Sequence, residues 1–289
     1  MRRIICTMLS VMLCVSLSGC RADSTASASP SASSSASASS DLGYTVLRVG
    51  MECAYAPNNW EEDTASDTNL PISNDAGFYA QGYDIQIARI IGEQLGVEIQ
   101  VVKLSWDGLI QALNAGTIDL IIAGMLDTEE RRQSISFTNT YGIGDTTYAI
   151  LCKSTSQYAS ATSIQDFSGA SILGQKGTYL DTVIDQIDNV NHISPVDSIP
   201  NMLDRLENDT VDGVVIDTDS GSAYLQTYPD LVMVEFADGQ GFDLGYTGSC
   251  IGVRNEDNTL REAVNGVLAT IDDDTRQAMM DQATADMPQ

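Results

Sequence analysis

The sequence predicts an α/β fold of two doubly wound lobes. From Val46 onwards, apolar runs of strand length alternate with segments whose apolar residues recur at helical spacing. Continuous apolar strands are typical of sheets covered by helices on both faces, and we expect parallel sheets. A ten-residue pattern at 113–122 (helix end, turn, Thr, aliphatic residue, Asp, buried strand) recurs at 206–215. This repeat favours two similar lobes, and chance convergence of short connections is the alternative.

The elements of the first half follow from spacing and breakers. Val46–Met51 is an apolar strand, and the polar stretch up to Gln81, with its Pro and Asn residues, predicts a loop or hairpin. A helix is predicted from Asp84 to Leu95, where Gly96 ends it. Further elements are a strand at 97–102, a helix at 106–113, a strand at 118–122 and a helical turn that opens at Thr128.

The second half repeats this alternation. Strands are predicted at 148–152, 171–174 and 211–216, and helices at 179–187 and 199–207. About 245 residues from position 44 onwards suffice for two modest lobes.

The amino terminus predicts export and lipidation. Arg2 and Arg3 precede an apolar run at 4–17, which is shorter than the ~20 residues needed to span a bilayer and so disfavours a simple anchor helix. Leu17-Ser18-Gly19-Cys20 is a lipobox. We therefore expect residues 1–19 to be a lipoprotein signal peptide and Cys20 to become a diacylglyceryl-modified amino terminus.

A tether follows the predicted lipid anchor. Residues 24–40 contain only Ser, Ala, one Thr and one Pro, which cannot form a core. We assign 20–43 to the lipidated cysteine and a disordered linker, with an r.m.s. reach of about 25 Å.

Charge and cysteine content exclude several classes of function. With 40 acidic and 14 basic residues, the net charge of −26 disfavours nucleic acid and anionic lipid headgroups as partners. The acidic excess fits either a solubilising surface or a cationic ligand.

The cysteines of the fold, Cys53, Cys152 and Cys250, form no CxxC pair, and the only histidine is His192, so neither a metal site nor a cofactor is predicted. We interpret these cysteines as small buried hydrophobes, with one disulfide left open, and His192 as a surface residue.

Two opposite charges lie at predicted strand ends. Ligands of open α/β sheets bind beyond the carboxyl ends of strands, here 123–125 and Asp217. Arg131 follows the first end, and its guanidinium suits a carboxylate, whereas the anion of Asp217 suits an ammonium. This pair predicts a zwitterionic, amino-acid-like ligand.

Short motifs spread over roughly 47–271 carry a family resemblance. They are Ala54-Tyr55-Ala56-Pro57, Gly82-Tyr83-Asp84-Ile85, Trp106-Asp107-Gly108-Leu109-Ile110, Ala123-Gly124-Met125, Glu130-Arg131, Gln175-Lys176-Gly177-Thr178, Val211-Asp212-Gly213-Val214-Val215-Ile216-Asp217 and Ile251-Gly252-Val253-Arg254. Because these motifs occur in this order, the chain resembles the bacterial extracellular solute-binding proteins of family 3, the amino-acid receptors of ABC importers.

The resemblance implies a periplasmic-binding-protein-like architecture with a two-crossing hinge. Lobe I would comprise 44–142 plus 248–289, and lobe II 143–247, with crossings near 143–145 and 245–248. A ligand that touches both lobes would favour the closed state, which a membrane permease recognises. A monomer is expected.

The resemblance also implies the site residues. Arg131 would bind the ligand carboxylate with the N–H groups of Met125 and Thr178, and Asp217 would bind the ammonium with the Gly124 carbonyl. Tyr55 and Trp106 would enclose the side chain, Trp60 would close the rim, and Glu52 would face the side-chain end. The alternatives are a surface charge for Arg131, a helix N-cap for Asp217, and core packing for the two aromatics.

Two departures from the family bear on ligand identity. Leu126 and Asp127 replace the usual hydroxyl and aliphatic residues, so the hydroxyl contact to the carboxylate is lost, and the loop at 61–81 is long and acidic. Glu52, with Glu61, Glu62 and Asp127 expected nearby, favours a cationic side chain, arginine or lysine, ahead of polar neutral amino acids.

Three functions are compatible with these features. The first is an importer receptor that captures an amino acid at the outer face of the cytoplasmic membrane in a Gram-positive-type envelope. A lyase or dehydratase on the same scaffold is the enzymatic alternative, although Ser/His/Asp and Cys/His sets are missing from the sequence. A sensory surface lipoprotein is the third.

Overall fold

The computed structural model describes residues 42–245 and 248–287 of the chain. The predicted signal peptide at 1–19, the lipidation site Cys20 and all but the last two residues of the predicted linker at 20–43 lie outside the described residues. In the described part, no helix combines the length and apolar character needed to cross a membrane.

Strands and helices alternate along most of the described chain. The strands are β1 (Val46–Met51), β2 (Ala54–Tyr55), β3 (Asn59–Glu62), β4 (Leu70–Pro71), β5 (Tyr79–Gln81), β6 (Glu98–Lys103), β7 (Leu120–Ile121), β8 (Ser136–Thr140), β9 (Tyr148–Lys153), β10 (Ser171–Leu173), β11 (Asn191–His192), β12 (Gly213–Asp217), β13 (Leu231–Val234) and β14 (Cys250–Val253). The α-helices are α1 (Tyr83–Leu95), α2 (Leu109–Asn114), α3 (Glu129–Arg132), α4 (Tyr179–Thr182), α5 (Ile199–Glu207), α6 (Thr218–Tyr224), α7 (Asn258–Leu268) and α8 (Asp273–Ala285). Short 3-10 turns occupy Trp106–Gly108, Ile164–Phe167 and Val183–Gln186.

Two five-stranded sheets form two lobes. The first sheet has the order β6-β1-β7-β14-β8, and the second has the order β11-β10-β12-β9-β13. In each sheet three neighbouring strands are parallel and the fourth pairs antiparallel with both of its neighbours. We call the parts built on the first and second sheets lobe I and lobe II.

The expectation of parallel sheets is therefore correct for three neighbouring strands of each sheet and wrong for the other pairings. Strand β9 in lobe II and strand β14 in lobe I run against their neighbours. Both are buried along most or all of their length, so they have the apolar composition of a parallel core strand. An apolar run indicates that a strand is buried on both faces of the sheet. The direction of the strand depends instead on the end from which the chain enters the sheet.

The repeated ten-residue pattern occupies equivalent places in both lobes. Asp119 accepts a hydrogen bond from the backbone N–H of Arg48 at 3.0 Å, and Asp212 accepts one from Ser171 N–H at 2.7 Å. Each aspartate caps the neighbouring parallel strand, and its own N–H donates to the carbonyl of the same residue it caps. This shared arrangement shows that the repeated pattern has the same structural role in both lobes.

The chain passes between the lobes twice. One connection runs from the end of β8 to the start of β9, and the other from β13 to β14. The first connection contains the predicted crossing at 143–145. The second connection contains the predicted crossing at 245–248, of which residues 246 and 247 lie outside the described residues. Tyr141 and Gly142 N–H both donate to Ser249 O, which holds the two connections together.

A small antiparallel sheet forms where a loop or hairpin was expected. Its order is β2-β3-β5-β4, within residues 54–81. The segment between β4 and β5 covers the outer edge of β6, because Ile72 bridges Val101 and Ser73 N–H donates to Val101 O at 2.8 Å. The acidic loop thus protects an edge strand of lobe I.

Helix and cysteine predictions agree closely with the structure. Helix α1 buries one face through Ile85, Ala88 and Ile91 and ends at Gly96, whose φ of 68° is the left-handed conformation that glycine favours. Helix α5 has the predicted bounds. The three cysteines at 53, 152 and 250 are buried and unpaired.

His192 is less exposed than predicted. Its side chain is 26% exposed, and its two ring nitrogens lie 2.8 Å from the carboxylates of Asp181 and Asp185. The sequence could not place these acids beside it because they belong to α4 and to the turn after it.

Candidate functional site

A cleft of about 840 Å³, including its opening to solvent, is lined by both lobes. It lies beyond the carboxyl ends of β1 and β7 in lobe I and of β10 and β12 in lobe II. Its lining includes Glu52, Tyr55, Trp106, Gly124, Leu126 and Arg131 from lobe I, and Tyr148, Gln175, Thr178, Asp217 and Asp219 from lobe II.

Arg131 reaches the cleft from the short helix α3. Thr128 caps this helix by accepting from Arg131 N–H. The guanidinium donates to Leu126 O at 2.8 Å and, across the cleft, to Gly177 O at 3.4 Å, and it stacks over the Trp106 ring at 5.4 Å. Burial lowers the pKa of Arg131, yet a guanidinium keeps its charge. Its remaining N–H groups are suited to a carboxylate.

Asp217 faces the cleft at the end of β12. Its Oδ1 accepts from Ser220 N–H at 2.9 Å and caps helix α6, and its Oδ2 accepts from the Tyr55 hydroxyl at 3.0 Å. The residue is both an N-cap and a lining residue, so its two candidate roles coexist. Burial raises the pKa of Asp217, while the two hydrogen bonds oppose the rise.

Tyr148 lies close to both charges. Burial and the nearby Asp217 carboxylate raise the pKa of the Tyr148 phenol, and the Arg131 guanidinium opposes the rise. Because one side chain interacts with both, the cation of lobe I and the anion of lobe II belong to the same part of the cleft.

A carboxylate and an amide meet at another part of the cleft. Glu52, directly after β1, is 7% exposed and accepts from Gln175 Nε2 at 2.7 Å across the cleft. Burial raises the pKa of Glu52 to about 7; the bond from Gln175 lowers it and the charge of Asp84 adds to the rise.

Glycine at position 124 makes room for Tyr55. Gly124 has a φ of 63°, and a Cβ there would lie 2.5 Å from Tyr55 Cε1. Any larger residue would therefore be strained and would push the Tyr55 ring away. The indole of Trp106, the second predicted aromatic, donates to Gly177 O at 2.9 Å.

A buried hydrogen-bond network holds the backbone of Gly124 in place. Gly124 N–H donates to the Tyr141 hydroxyl at 2.8 Å, which donates to Asp84 at 2.7 Å. Asn59 also donates to Asp84, at 2.8 Å. Burial raises the pKa of Asp84 to about 7, although both hydrogen bonds lower it.

Several contacts bridge the two lobes. They are Tyr55 to Asp217, Trp106 and Arg131 to Gly177, Gln175 to Glu52, and the ion pair between Lys176 and Asp107 at 2.8 Å. The structure therefore has its lobes close together over the cleft.

Not every predicted residue lines the cleft. Trp60, expected at the rim, is 5% exposed within the core and donates to Glu62 at 2.6 Å. Met125 is also buried, and its carbonyl accepts from Cys250 N–H at 2.8 Å. Thr178 lines the cleft, but its N–H donates to Gln175 O at 3.2 Å in this structure.

The acids expected near Glu52 do not line the cleft, and each has a partner of its own. Glu61 pairs with Lys103, Glu62 with Trp60, and Asp127 with Arg132 at 2.6 Å. The sequence placed them near the ligand by proximity in the chain, whereas the turns of the backbone direct each to its own partner.

Several cleft residues were missed, and three of them are polar residues next to the proposed charges or to Glu52. Asp219 lies two positions beyond Asp217, Gln175 follows β10, and Tyr148 opens β9. Gln175 and Asp219 could have been predicted as cleft residues, because each is a polar residue that follows an apolar strand closely. Elsewhere, the described ranges contain no group of three or more His, Cys, Asp or Glu side chains placed to hold a metal ion.

Comparisons with known proteins agree with this geometry. The model of the bacterial extracellular solute-binding proteins, family 3, matches residues 47–284. A probable histidine-binding protein of Campylobacter jejuni is 31% identical over 202 residues, which cover 69% of this chain and 72% of that protein. ABC transporter arginine-binding protein 1 of Escherichia coli is 32% identical over 205 residues, covering 70% and 80%.

A solved structure is also similar. The arginine-bound form of a truncated ArgBP from T. maritima has a TM-score of 0.67 and 27% identity, and the match covers 80% of this chain and 98% of that chain.

Proposed function

The chain belongs to the bacterial extracellular solute-binding proteins of family 3, and from this premise we propose that it is the receptor of an ABC importer for a cationic amino acid, arginine or lysine. One observation carries the proposal: Arg131 and Asp217, a half-buried cation and a buried anion from opposite lobes, line one cleft. A free amino acid offers the complementary carboxylate and ammonium.

In the proposed complex, Arg131 binds the carboxylate, assisted by the N–H groups of Met125 and Thr178. The Thr178 N–H would exchange its bond with Gln175 O for the ligand. Asp217 binds the ammonium together with the Gly124 carbonyl. Tyr55 and Trp106 form the walls beside the ligand side chain, where stacking favours a planar or cationic group.

Charge supports a cationic side chain. The lining residues include three carboxylates, Glu52, Asp217 and Asp219, against the single cation Arg131. After Arg131 and Asp217 neutralise the ligand's main-chain charges, Glu52 and Asp219 remain for a positive side chain. Two similar proteins are named for histidine and arginine. Polar neutral amino acids are the next candidates.

Closure of the lobes is the proposed mechanism. We assign 44–142 plus 248–289 to lobe I and 143–247 to lobe II, with hinges at 143–145 and 245–248. The ligand favours the closed state because it touches both lobes, and the permease recognises that state in a monomeric receptor.

Anchoring completes the proposal. Lipidated Cys20 and the linker would hold the receptor at the outer face of the cytoplasmic membrane of a Gram-positive-type cell. The flexible tether then raises the receptor concentration near the permease without imposing an orientation.

A thermal-shift screen against the twenty amino acids and common polyamines tests the function. A ligand present at 100 times its Kd stabilises the protein by about 2.7 kcal/mol, which raises Tm by about 5–10 °C. Arg131→Ala should abolish the shift. Arg132→Ala is the matched control, because Arg132 is a neighbour on α3 whose side chain is 59% exposed.

Two outcomes would contradict the proposal. A shift of full size in Arg131→Ala would exclude the proposed carboxylate site. Conversion of the amino acid during incubation, instead of its recovery unchanged, would favour a lyase.

A further inference from the structure

Glu52 and Gln175 form a contact that exists only when the lobes are together. Glu52 lies in lobe I and Gln175, 2% exposed, in lobe II. The Gln175 amide nitrogen donates to Glu52 Oε2 at 2.7 Å and to the carbonyl of Asp197 at 3.2 Å. When the lobes separate, this donor is removed and Glu52 is exposed to water.

In the closed cleft, Glu52 is poorly compensated as an anion. An ionised carboxylate has about four acceptor positions, and the amide of Gln175 supplies one donor and no charge. Among the described residues, no lysine, arginine or histidine forms an ion pair with Glu52. Burial of an unpaired charge is costly, so such a group takes up a proton or acquires a cation.

The surrounding charges do not relieve this cost. Asp84 acts through space on Glu52 and disfavours its charge, and Glu52 acts in the same way on the Tyr224 phenol. On the other side Glu52 shares a second, open cavity with Lys103, Asp75 and Asp197. Lys103 is already paired with Glu61 and Asp75, so it offers Glu52 no partner.

We propose that Glu52, covered by Gln175 in the closed cleft, changes its protonation according to the charge of the ligand side chain. With a cationic side chain in the cleft, Glu52 stays ionised and pairs with it. With a neutral side chain, Glu52 takes up one proton from solvent as Gln175 closes over it. This inference rests on the proposed function, because it concerns the side-chain end of the same ligand.

The consequence is a selectivity that depends on pH. Without a cation, burial holds the pKa of Glu52 at about 7. The complex with a neutral ligand therefore binds one proton more below pH 7 than the complex with a cationic ligand. By linkage, the ratio of cationic to neutral affinity falls about tenfold between pH 8 and pH 6. The free protein is common to both ligands, so its own titration cancels from the ratio.

L-Arginine and L-citrulline are the probes, because citrulline replaces the guanidinium by a neutral urea group of similar shape. Their affinities for the full-length chain would be measured by calorimetry at pH 6, 7 and 8, with citrulline in competition with arginine where it binds weakly. Titrations at pH 6 in two buffers of different ionisation enthalpy count protons. We expect citrulline to take up about one proton more than arginine.

Three variants separate a selective role from a structural one. Glu52→Gln should make the ratio independent of pH, whereas Glu93→Gln, an exposed acid on α1, should leave its pH dependence unchanged. Gln175→Leu removes the donor that favours ionised Glu52, so the fall in the ratio should begin at a higher pH. A merely structural role for Gln175 would weaken both ligands equally at every pH.

The outcomes distinguish the two proposals. If both ligands bind and their affinity ratio is flat from pH 8 to pH 6, the inference is wrong and the receptor function stands. An unchanged slope in Glu52→Gln, or citrulline that fails to compete at millimolar concentration at pH 6, also overturns the inference. If neither ligand binds at any pH, both proposals fail.

Discussion

The hydroxyl of Tyr55 in lobe I donates to Asp217 Oδ2 in lobe II at 3.0 Å. Burial and the neighbouring carboxylate raise the pKa of Tyr55 well above its ordinary value, so the phenol remains a donor. The bond joins a wall of the cleft to the proposed ammonium site. It can form only when the lobes are close, and it therefore contributes to the closed state alone.

Tyr55→Phe should weaken amino-acid binding about fivefold. Loss of one hydrogen bond costs about 1 kcal/mol, and here the cost falls on the closed, ligand-bound state. Calorimetry would measure the affinity, with Tyr158→Phe as the control, because the Tyr158 ring stacks on Phe167 and not on the cleft. Tighter binding by Tyr55→Phe would mean that the hydroxyl competes with the ligand ammonium for Asp217.

Gly124→Ala should reduce both stability and binding. The left-handed backbone costs a Cβ-bearing residue about 1–2 kcal/mol, and the Cβ would also displace Tyr55. Gly96→Ala is the matched control, because Gly96 has a similar φ of 68° with nothing within 4 Å of the added Cβ. Both variants should lower Tm, but only Gly124→Ala should weaken ligand binding, by about tenfold. Equal affinities in the two variants would contradict the packing argument.

His192→Gln should lower stability in a pH-dependent way. Burial alone would lower the pKa of His192, but the hydrogen bonds and charges of Asp181 and Asp185 raise it above 6.5. Protonated His192 therefore stabilises the fold below pH 6.5, and this contribution disappears as the pH rises through the higher folded pKa. Urea unfolding at pH 6 should show a loss of about 1 kcal/mol or less.

The same comparison at pH 9 should show almost no difference between His192→Gln and the parent. Asp188→Asn, an exposed acid close to this cluster in the chain, serves as the control and should show no such trend. A deficit of equal size at both pH values would indicate lost packing instead of lost charge.

Cys20→Ala should release the protein from the membrane. Without the thiol, the diacylglyceryl group has no attachment atom, and the linker cannot hold the receptor. Cell fractionation and the intact mass of the mature chain measure the change. Cys14→Ala, a thiol inside the predicted signal peptide, should leave both unchanged, and membrane retention of Cys20→Ala would contradict lipid anchoring at this residue.

Much of the fold was predictable because it depends on local pattern. Helices α1 and α5 have strong helical spacing and identifiable ends, Gly96 in one case and the Ser198 cap in the other. Strand β14 and helices α7 and α8 were not assigned. The expected parallel direction was wrong for β9, which pairs antiparallel with β12, because an apolar pattern indicates burial and not strand direction.

The residues of the candidate site were likewise predicted only in part. Arg131 and Asp217 were predicted from charge at strand ends, and both line the cleft. Trp60 was placed at the rim by the family resemblance, but its ring is buried in the core. The acids at 61, 62 and 127 had nearer partners, which only the folded arrangement provides.

The sequence by itself therefore determined the two-lobed α/β class and the opposite charges for a zwitterion, because periodicity and strand ends are local properties. Tertiary structure alone decided that Tyr55 meets Asp217 and that Gln175 meets Glu52. These pairs are 162 and 123 residues apart in the chain. Their contact, and the burial that raises the pKa of Glu52, arise only when the two lobes come together.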